Sequence, residues 1–495
     1  MAAAAVLATS CSDDFLEVTP PDKATLQEYF NNYDHVLEAL VSTYNPMRCY
    51  DWNGGQYAPL TFCADVMADD VWPGGSGITD IQPLHKMFNF ESTQNSSDAL
   101  TGIWDQSYKG VRNANDVLTY LDWASANMTE EQRVAIDAET RTLRAFYYML
   151  LWKYYGNIPF YLQNLAAPYI AEQKGHDEVY ATVIADLESV IDKKVLPMQW
   201  DDQNLGRMGQ ACAMMIYAEM VMYQKDEARY AKALGYMKEI IGSGDFDLAP
   251  DYGTIFLESG EWSSESIFEI SYKDDNAVRD WGAVANAGGT VYPRLISPNG
   301  GVAADGVDNG WSFEPVRLET FDLFAEGDKR RDATIYDARK ATYTKKYQDT
   351  GLWLKKYIAY AANCADQKAS SDLNFNNNLR VYRFSETLLN AAELIVMTGG
   401  DANEAKGYLA RVHNRAGLTD TPEATIDNIL AERHLEFVGE GKRYWDLVRT
   451  GRASQVLTPD EYGYRTNTWS ESKKYLPIPL SEIDAAQGSL TQNNY

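Results

Sequence analysis

The chain has 495 residues, more than the roughly 250–300 at which a single hydrophobic core stops growing, so we expect two lobes or one large helical body with insertions. Apolar residues make up 45% and charged residues 23% of the chain, which excludes an extensively disordered protein. The 71 acidic residues against 44 basic ones give a net charge of −27, which repels phosphate backbones and excludes nucleic acid as a partner.

The N-terminus resembles the end of a lipoprotein signal peptide. A short apolar stretch, 1–10, ends directly before Cys11 and is far shorter than the roughly 20 residues of a membrane span. We therefore expect residues 1–11 to be a signal remnant whose Cys11 carries a lipid, followed by an extended polar tether over 12–24. The acidic residues that follow Cys11 resemble the surface-export signal of Bacteroidetes lipoproteins. The lipid is expected to be the only membrane anchor.

Helical patterns dominate the region 25–245 outside its first loop. Thr129 and Gln132 form a capping-box pattern, and apolar residues recur at helical spacing from Leu143 to a stop near Gly156. Three pairs of neighbouring helices are predicted: 100–123 with 130–155, 177–192 with 207–224, and 382–398 with 403–416. Each pair is about the size of a tetratricopeptide unit. The sequence thus predicts a mostly α fold with tetratricopeptide-like helical hairpins as its scaffold.

Two regions interrupt the helices, 45–98 and about 245–378. Both are rich in Gly, Pro, Asn, Asp and aromatic residues, which predicts long ordered loops with short strands. Loops of this kind usually carry function when a rigid scaffold positions them. We therefore expect a loop-rich ligand-binding insertion over 246–378, followed by a C-terminal region over 379–495.

The C-terminal region contains a dense motif over 432–449, ERHLEFVGEGKRYWDLVR. It resembles the signature of the SusD/RagB family. Three further landmarks occur in the family's order: a predicted helix from Leu379 to Glu393 followed by HNRAG at 413–417, then YLPIP at 475–479 with Glu482, and the closing QNNY at 492–495.

This resemblance implies an outer-membrane, cell-surface lipoprotein of Bacteroidetes with a SusD-like, tetratricopeptide-based helical fold. Its partner would be a SusC-like TonB-dependent barrel, over which it would sit as a substrate-capturing lid. The ligand would be an oligosaccharide or polysaccharide, although some members of the family are thought to handle peptides. No catalysis is expected.

Read without the family, the motif permits a second interpretation. Glu432, Glu436 and Glu440 at i, i+4 and i+8 would place three carboxylates on one helix face, and paired carboxylates roughly 5–9 Å apart are what a glycosidase uses. The interleaved arginines favour a structural charge network instead, because a neighbouring Arg lowers the carboxyl pKa that a general acid needs raised. The residues expected to form this network are Glu432, Arg433, Glu436, Glu440, Gly441, Arg443 and Asp446.

Metal and cofactor chemistry is not indicated. The five cysteines form no CxxC pair and no zinc-like cluster with the five histidines. An odd number of cysteines leaves at least one thiol unpaired, and Cys11 is the expected one. We predict neither a metal site nor a cofactor.

Candidate ligand-binding residues come from the two loop regions, where aromatic rings lie near carboxylates, amides or an arginine. Rings can stack on the apolar face of a sugar, and planar polar groups bind its hydroxyls. The first loop holds Trp52, Tyr57 and Trp72. The candidates we select are Asp69, Asp70 and Trp72 in the first loop and Trp281, Tyr292, Arg294, Asn309 and Trp311 in the second.

The sequence is compatible with three functions. The first is a glycan-binding module that serves a transporter, and the second is a surface glycoside hydrolase using Asp69 with Asp70 or the Glu432 set. The third is a structural or adhesive surface protein. A peptide is the alternative ligand.

Overall fold

The computed structural model describes residues 24–53, 56–95 and 100–493. Cys11, the predicted signal remnant and residues 12–23 of the predicted tether lie outside the described residues. Within the described ranges, no helix is both long enough and apolar enough to cross a bilayer.

Eighteen α-helices and six short strands form the described part of the chain. The helices are α1 (Leu26–Tyr29), α2 (Tyr33–Arg48), α3 (Leu60–Met67), α4 (Gln82–Phe88), α5 (Gly102–Ala124), α6 (Glu130–Tyr155), α7 (His176–Ile191), α8 (Gln210–Gln224), α9 (Tyr230–Ser243), α10 (Tyr292–Ile296), α11 (Leu318–Asp322), α12 (Arg330–Thr334), α13 (Phe384–Met397), α14 (Ala402–Arg415), α15 (Ile426–Phe437), α16 (Arg443–Arg449), α17 (Ala453–Val456) and α18 (Leu480–Ala485). The strands are β1 (Ile158–Pro159), β2 (Gln173–Lys174), β3 (Ser266–Ile270), β4 (Ile335–Asp337), β5 (Leu352–Leu354) and β6 (Leu379–Arg383).

The predicted helical scaffold is confirmed. Helices α5 and α6, α7 and α8, and α13 and α14 pack together in pairs, and α6 also packs on α7. Thr129 and Gln132 close the predicted capping box at the start of α6, and Gly156 ends that helix with a φ of 71°. Two helices outside the predicted pairs extend the stack, because α2 packs on α5 and α9 packs on α8 and α13.

The first loop region differs from the prediction because it contains two helices, α3 and α4. Seven of the eight residues of α3 are buried, so the surrounding fold encloses this short helix on nearly every side. The segment after α3 reaches the second loop region through isolated antiparallel bridges from Val71 to Val316 and from Gly74 to Phe313. The two loop regions therefore form one continuous body.

The start of the C-terminal region also differs from the prediction. Residues 379–383 form strand β6, which pairs antiparallel with β3, and α13 begins only at Phe384. The sequence placed a helix from Leu379. Pairing with a strand more than 100 residues earlier decides the conformation, and a local pattern does not report such pairing. The 246–378 insertion holds the predicted short strands β3, β4 and β5, the last two paired antiparallel.

A single large hydrophobic core runs from Val36 in α2 to Leu490 near the C-terminus. The chain is thus one large helical body with insertions and not two lobes. The four described cysteines are free and buried, Cys63 and Cys212 in this core and Cys49 and Cys364 outside it.

Candidate functional site

Four aromatic side chains from separate parts of the chain meet at the surface. We call Trp52, Tyr57, Trp281 and Trp311 the aromatic platform. Trp281 is 37% exposed, and its ring lies nearly parallel to that of Trp311 with centroids 6.2 Å apart and an interplanar angle of 21°. Tyr57 contacts Trp52 at 4.7 Å and Trp311 at 5.6 Å, and Trp52 meets Trp281 edge-on at 5.4 Å.

A buried ion pair beneath the platform fixes the segments that carry Trp52 and Trp281. The Arg279 guanidinium donates to both carboxylate oxygens of Asp51, at 2.8 and 2.7 Å, and to the Trp52 carbonyl at 3.1 Å. Asp51 also accepts a hydrogen bond from the Val291 backbone amide at 2.8 Å. This bidentate pair is nearly inaccessible to solvent, so it holds the backbone next to each tryptophan in a single geometry.

A second arginine fixes the segment that carries Trp311. Arg294 forms ion pairs with Asp308 at 3.0 Å and Asp372 at 2.8 Å, and it donates to the Asn309 carbonyl. The Trp311 amide donates to the Arg294 carbonyl at 2.8 Å, which anchors the tryptophan to α10.

The platform has an acidic and amide rim. Asp280 and Asn309 are exposed, and Asp308 and Asp372 are partly exposed. Burial, Asp372 and Asp80 together raise the pKa of Tyr57 to about 12, so its hydroxyl stays protonated. Flat rings beside hydroxyl, carboxylate and amide groups provide stacking surfaces together with hydrogen-bond donors and acceptors.

The structure brings together four of the predicted site residues. Trp281 and Trp311 lie on the platform, Asn309 lies on its rim, and Arg294 supports it from below. Tyr292 is only 3% exposed, and its hydroxyl donates to Glu314 at 2.9 Å inside the core.

Trp72, Asp69 and Asp70 lie apart from the platform. Trp72 is 2% exposed and is enclosed by a cage of side chains. The cage consists of Phe88, Tyr462, Tyr464 and the Arg317 guanidinium, which lies 4.2 Å from the Trp72 ring centre.

Asp69, Asp70 and His434 bring potential ligand atoms within 4.8 Å of one another. These groups are engaged in ion pairs: Arg443 donates to both oxygens of Asp69, at 2.9 and 3.1 Å, and a ring nitrogen of His434 lies 2.7 Å from Asp70. Burial opposes the charge on His434, yet the Asp70 carboxylate raises the pKa of this histidine above its ordinary value. The arrangement is that of a charge-paired cluster.

The carboxylates of the 432–449 motif are bound by cations. Glu436 pairs with Arg383 at 2.9 Å and Arg415 at 2.5 Å, and Glu440 pairs with Arg383 at 2.7 Å and Lys356 at 2.6 Å. Burial opposes ionisation of Glu436, but its arginine partners hold its pKa at about 2, which is unsuited to a general acid.

One expectation about this motif was wrong. Glu440 does not lie on the helix with Glu432 and Glu436, because α15 ends at Phe437. Gly439 and Gly441 have φ values of 77° and 69°, so the chain turns and Glu440 reaches the same cations from a loop. The other residues of the motif also have partners. Arg433 pairs with Asp446 at 2.8 Å, and Arg443 pairs with Asp69. Glu432 pairs with Arg330 at 2.6 Å, and the Gly441 amide donates to Asp65 at 2.9 Å.

Trp52 and Tyr57 were noted among the loop aromatics but not selected as site residues. Their partner Trp281 lies more than 220 positions away in the sequence, and no local pattern links the two segments. The signal that would have found them is the buried pair Asp51 and Arg279, which is visible only in three dimensions.

Two family profiles match most of the chain, one in each half. The profile described as "SusD family" matches residues 264–495, and the profile described as "Starch-binding associating with outer membrane" matches residues 14–220.

Solved structures extend this similarity to the fold. Surface glycan-binding protein A from Bacteroides thetaiotaomicron, in complex with laminarihexaose, is 53% identical, with a TM-score of 0.89 over 93% of this chain and 99% of that one. Surface glycan-binding protein A from Bacteroides uniformis is 47% identical, with a TM-score of 0.86 over 93% and 99%. Starch-binding protein SusD from Bacteroides thetaiotaomicron is 25% identical over 76% of each chain. These relatives are named for binding and not for hydrolysis, and the chain belongs to the SusD/RagB family.

Proposed function

We propose that the aromatic platform binds a glycan, with its rings against the apolar faces of the sugar and its rim against the hydroxyls. The main support for this proposal is that four rings from three chain segments meet at one surface, and that buried ion pairs hold those segments in place. The protein acts by binding, and no chemical step on the glycan belongs to this function.

The first candidate ligand is a β-1,3-linked glucan such as laminarin. The relative with 53% identity has been solved with laminarihexaose. The acidic rim and the net charge of −27 also favour a neutral ligand, because a polyanion would be repelled.

We further propose that the protein is a lipoprotein of the outer membrane, anchored at the cell surface through Cys11, and that it delivers the glycan to a SusC-like TonB-dependent barrel. Membership of the SusD/RagB family supports this, as does the matching profile described by its association with the outer membrane. A Cys11→Ala variant is expected to leave the outer-membrane fraction, and the native protein is expected to co-purify with a barrel. Retention of the variant in that fraction would contradict the anchor.

The platform is tested with Trp281→Ala and Trp311→Ala. Each change removes a stacking surface, so we expect at least a tenfold loss of affinity for laminarihexaose by isothermal titration calorimetry, equivalent to about 1.4 kcal/mol. The melting temperature is expected to stay nearly constant, because both rings are partly exposed.

Trp123→Ala is the matched control, since its ring packs against Tyr120 and not against a platform ring. It should bind laminarihexaose like the native protein. Native affinity in both platform variants would refute the site.

A further inference from the structure

A cavity of about 650 Å³ opens beside the platform. Its walls are one face of α5, the segment 159–171, which begins at the last residue of β1, and the C-terminal segment 482–490, which begins within α18. None of the candidate residues predicted from the sequence lines this cavity.

The lining includes four aromatic side chains, Trp104, Tyr108, Tyr161 and Tyr169. Tyr108 and Tyr161 lie nearly parallel, with centroids 6.2 Å apart and an interplanar angle of 14°, and Trp104 contacts Tyr108 at 4.8 Å. The Tyr108 hydroxyl donates to the Pro159 carbonyl at 2.8 Å, which fixes the ring.

Tyr169 stands at the edge of the cavity with 73% of its surface exposed. Its φ of 61° lies in the left-handed region, which is disfavoured for a bulky side chain. Because the ring is exposed, packing in the core does not compensate for this unfavourable backbone conformation. Residues in disfavoured backbone conformations are concentrated at ligand-binding sites.

The polar groups of the cavity are balanced between donors and acceptors. Lys109 and Arg112 supply cationic donors, and Asp105 and Glu482 supply carboxylate acceptors. Neither Lys109 nor Arg112 forms an ion pair with any residue that the structure describes, so their donors are available to a ligand. Two positive and two negative groups among aromatic rings suit a neutral ligand rich in hydroxyls better than a polyanion.

The cavity adjoins the platform through two consecutive residues. The ring of Trp52 belongs to the platform, and the side chain of the next residue, Asn53, lines the cavity and donates to Asp105 at 3.4 Å. A polymer held on the platform would therefore have its next sugars near the cavity mouth.

We propose that this cavity is a second glycan subsite, which binds a further stretch of the same polysaccharide chain that the platform holds. The inference rests on the proposed function of the platform. Linking two weak sites through one polymer raises the effective concentration of the second site, so the subsite strengthens binding of long chains and leaves short ones unaffected.

The test measures laminarin and laminaritriose binding by calorimetry for Tyr169→Ala and Lys109→Ala, with Tyr29→Ala as the control for loss of an exposed tyrosine outside the cavity. We expect each cavity variant to lose laminarin affinity by about three- to tenfold and to bind laminaritriose like the native protein. Tyr29→Ala should bind both ligands normally.

The two hypotheses fail in different ways. Native laminarin affinity in both cavity variants, with loss in Trp281→Ala, would overturn the subsite and leave the platform intact. Native laminarin affinity in Trp281→Ala and Trp311→Ala would overturn the platform, and absence of laminarin binding by the native protein would overturn both assignments for this glucan.

Discussion

Loop tryptophans have two distinct roles in this molecule. Trp281 is 37% exposed and lies among rings at the surface, whereas Trp72 is 2% exposed and is surrounded by Phe88, Tyr462, Tyr464 and Arg317. The Trp72 ring packs the first loop region against the C-terminal region. Trp72 therefore stabilises the fold and increases the free energy of unfolding.

Trp72→Ala is expected to destabilise the protein by about 3–5 kcal/mol, because it leaves a large cavity in a packed site. Urea unfolding measures the loss. Trp281→Ala is the comparison, and it should change the stability little. A Trp72→Ala protein with native stability and weakened glycan binding would contradict the structural role and return Trp72 to the ligand site.

Two buried carboxyl groups near the centre of the fold lack cationic partners. The Asp65 and Glu314 side chains each accept one hydrogen bond, from the Gly441 amide and the Tyr292 hydroxyl, and each retains one oxygen with no partner among the described residues. Burial raises the pKa of both, with further increases from Asp70 at Asp65 and from Asp65 at Glu314.

A raised pKa in the folded state means that the folded protein retains a proton that the unfolded chain releases above the ordinary pKa of 4.5 for a Glu side chain. This group therefore contributes its full stabilisation below that pH, and the contribution is lost as the pH rises towards its folded-state pKa. Glu314→Gln removes the titrating group, so we expect a smaller fall in melting temperature between about pH 5 and 8. Thermal denaturation between about pH 5 and 8 measures this, with the exposed Glu131→Gln as the control. A Glu314→Gln protein whose melting temperature falls with pH as steeply as that of the native protein would contradict the prediction.

At the scale of secondary-structure elements, charge pairing joins parts of the chain that are distant in sequence. Arg383, at the end of β6, contacts Glu265 next to β3 at 2.5 Å, Glu436 in α15 at 2.9 Å and Glu440 in the following turn at 2.7 Å. Arg415 at the end of α14 shares Glu265 and Glu436 with it. The network locks the last helices of the scaffold onto the strand that leads into the insertion.

Arg383→Met is expected to cost about 3–5 kcal/mol of unfolding free energy, since it leaves buried carboxylates without their cation. Urea unfolding measures this cost. The control is Arg133→Met, which breaks an exposed pair with Glu130 and should cost no more than about 1 kcal/mol. Equal effects of the two changes would mean that the buried network adds no stability.

At the scale of the whole molecule, charge governs which ligands approach. The net charge of −27 is spread over a chain whose platform rim is itself acidic. The negative electrostatic potential of the protein has little effect on neutral glucans, whereas it repels polymers that carry uronate or sulfate groups.

Screening of charges becomes strong between roughly 0.05 and 0.5 M NaCl. We therefore expect laminarin affinity to be nearly the same across that range of salt concentration. Alginate, an anionic comparison polymer, should show no retardation of the protein in native gels at low salt. Strong retardation by alginate under those conditions would contradict the preference for a neutral ligand.

The sequence by itself determined the helical scaffold and the family. Capping residues such as Thr129, helical apolar spacing and the motif at 432–449 are local signals, and local hydrogen bonding and amphipathic packing translate them directly into helices. Trp281 and Trp311 could also be selected as candidates, because rings beside polar groups in a loop are visible in the sequence.

Only the tertiary structure decided which of the aromatic residues meet. Trp72 and Trp281 have similar local surroundings, yet one is enclosed by the C-terminal region and the other is held at the surface by Asp51 and Arg279. Helix α3, buried on nearly every side, and strand β6, defined by its pairing with β3, were missed for the same reason. Contacts between residues more than 100 positions apart set these features, and no local sequence pattern encodes such contacts.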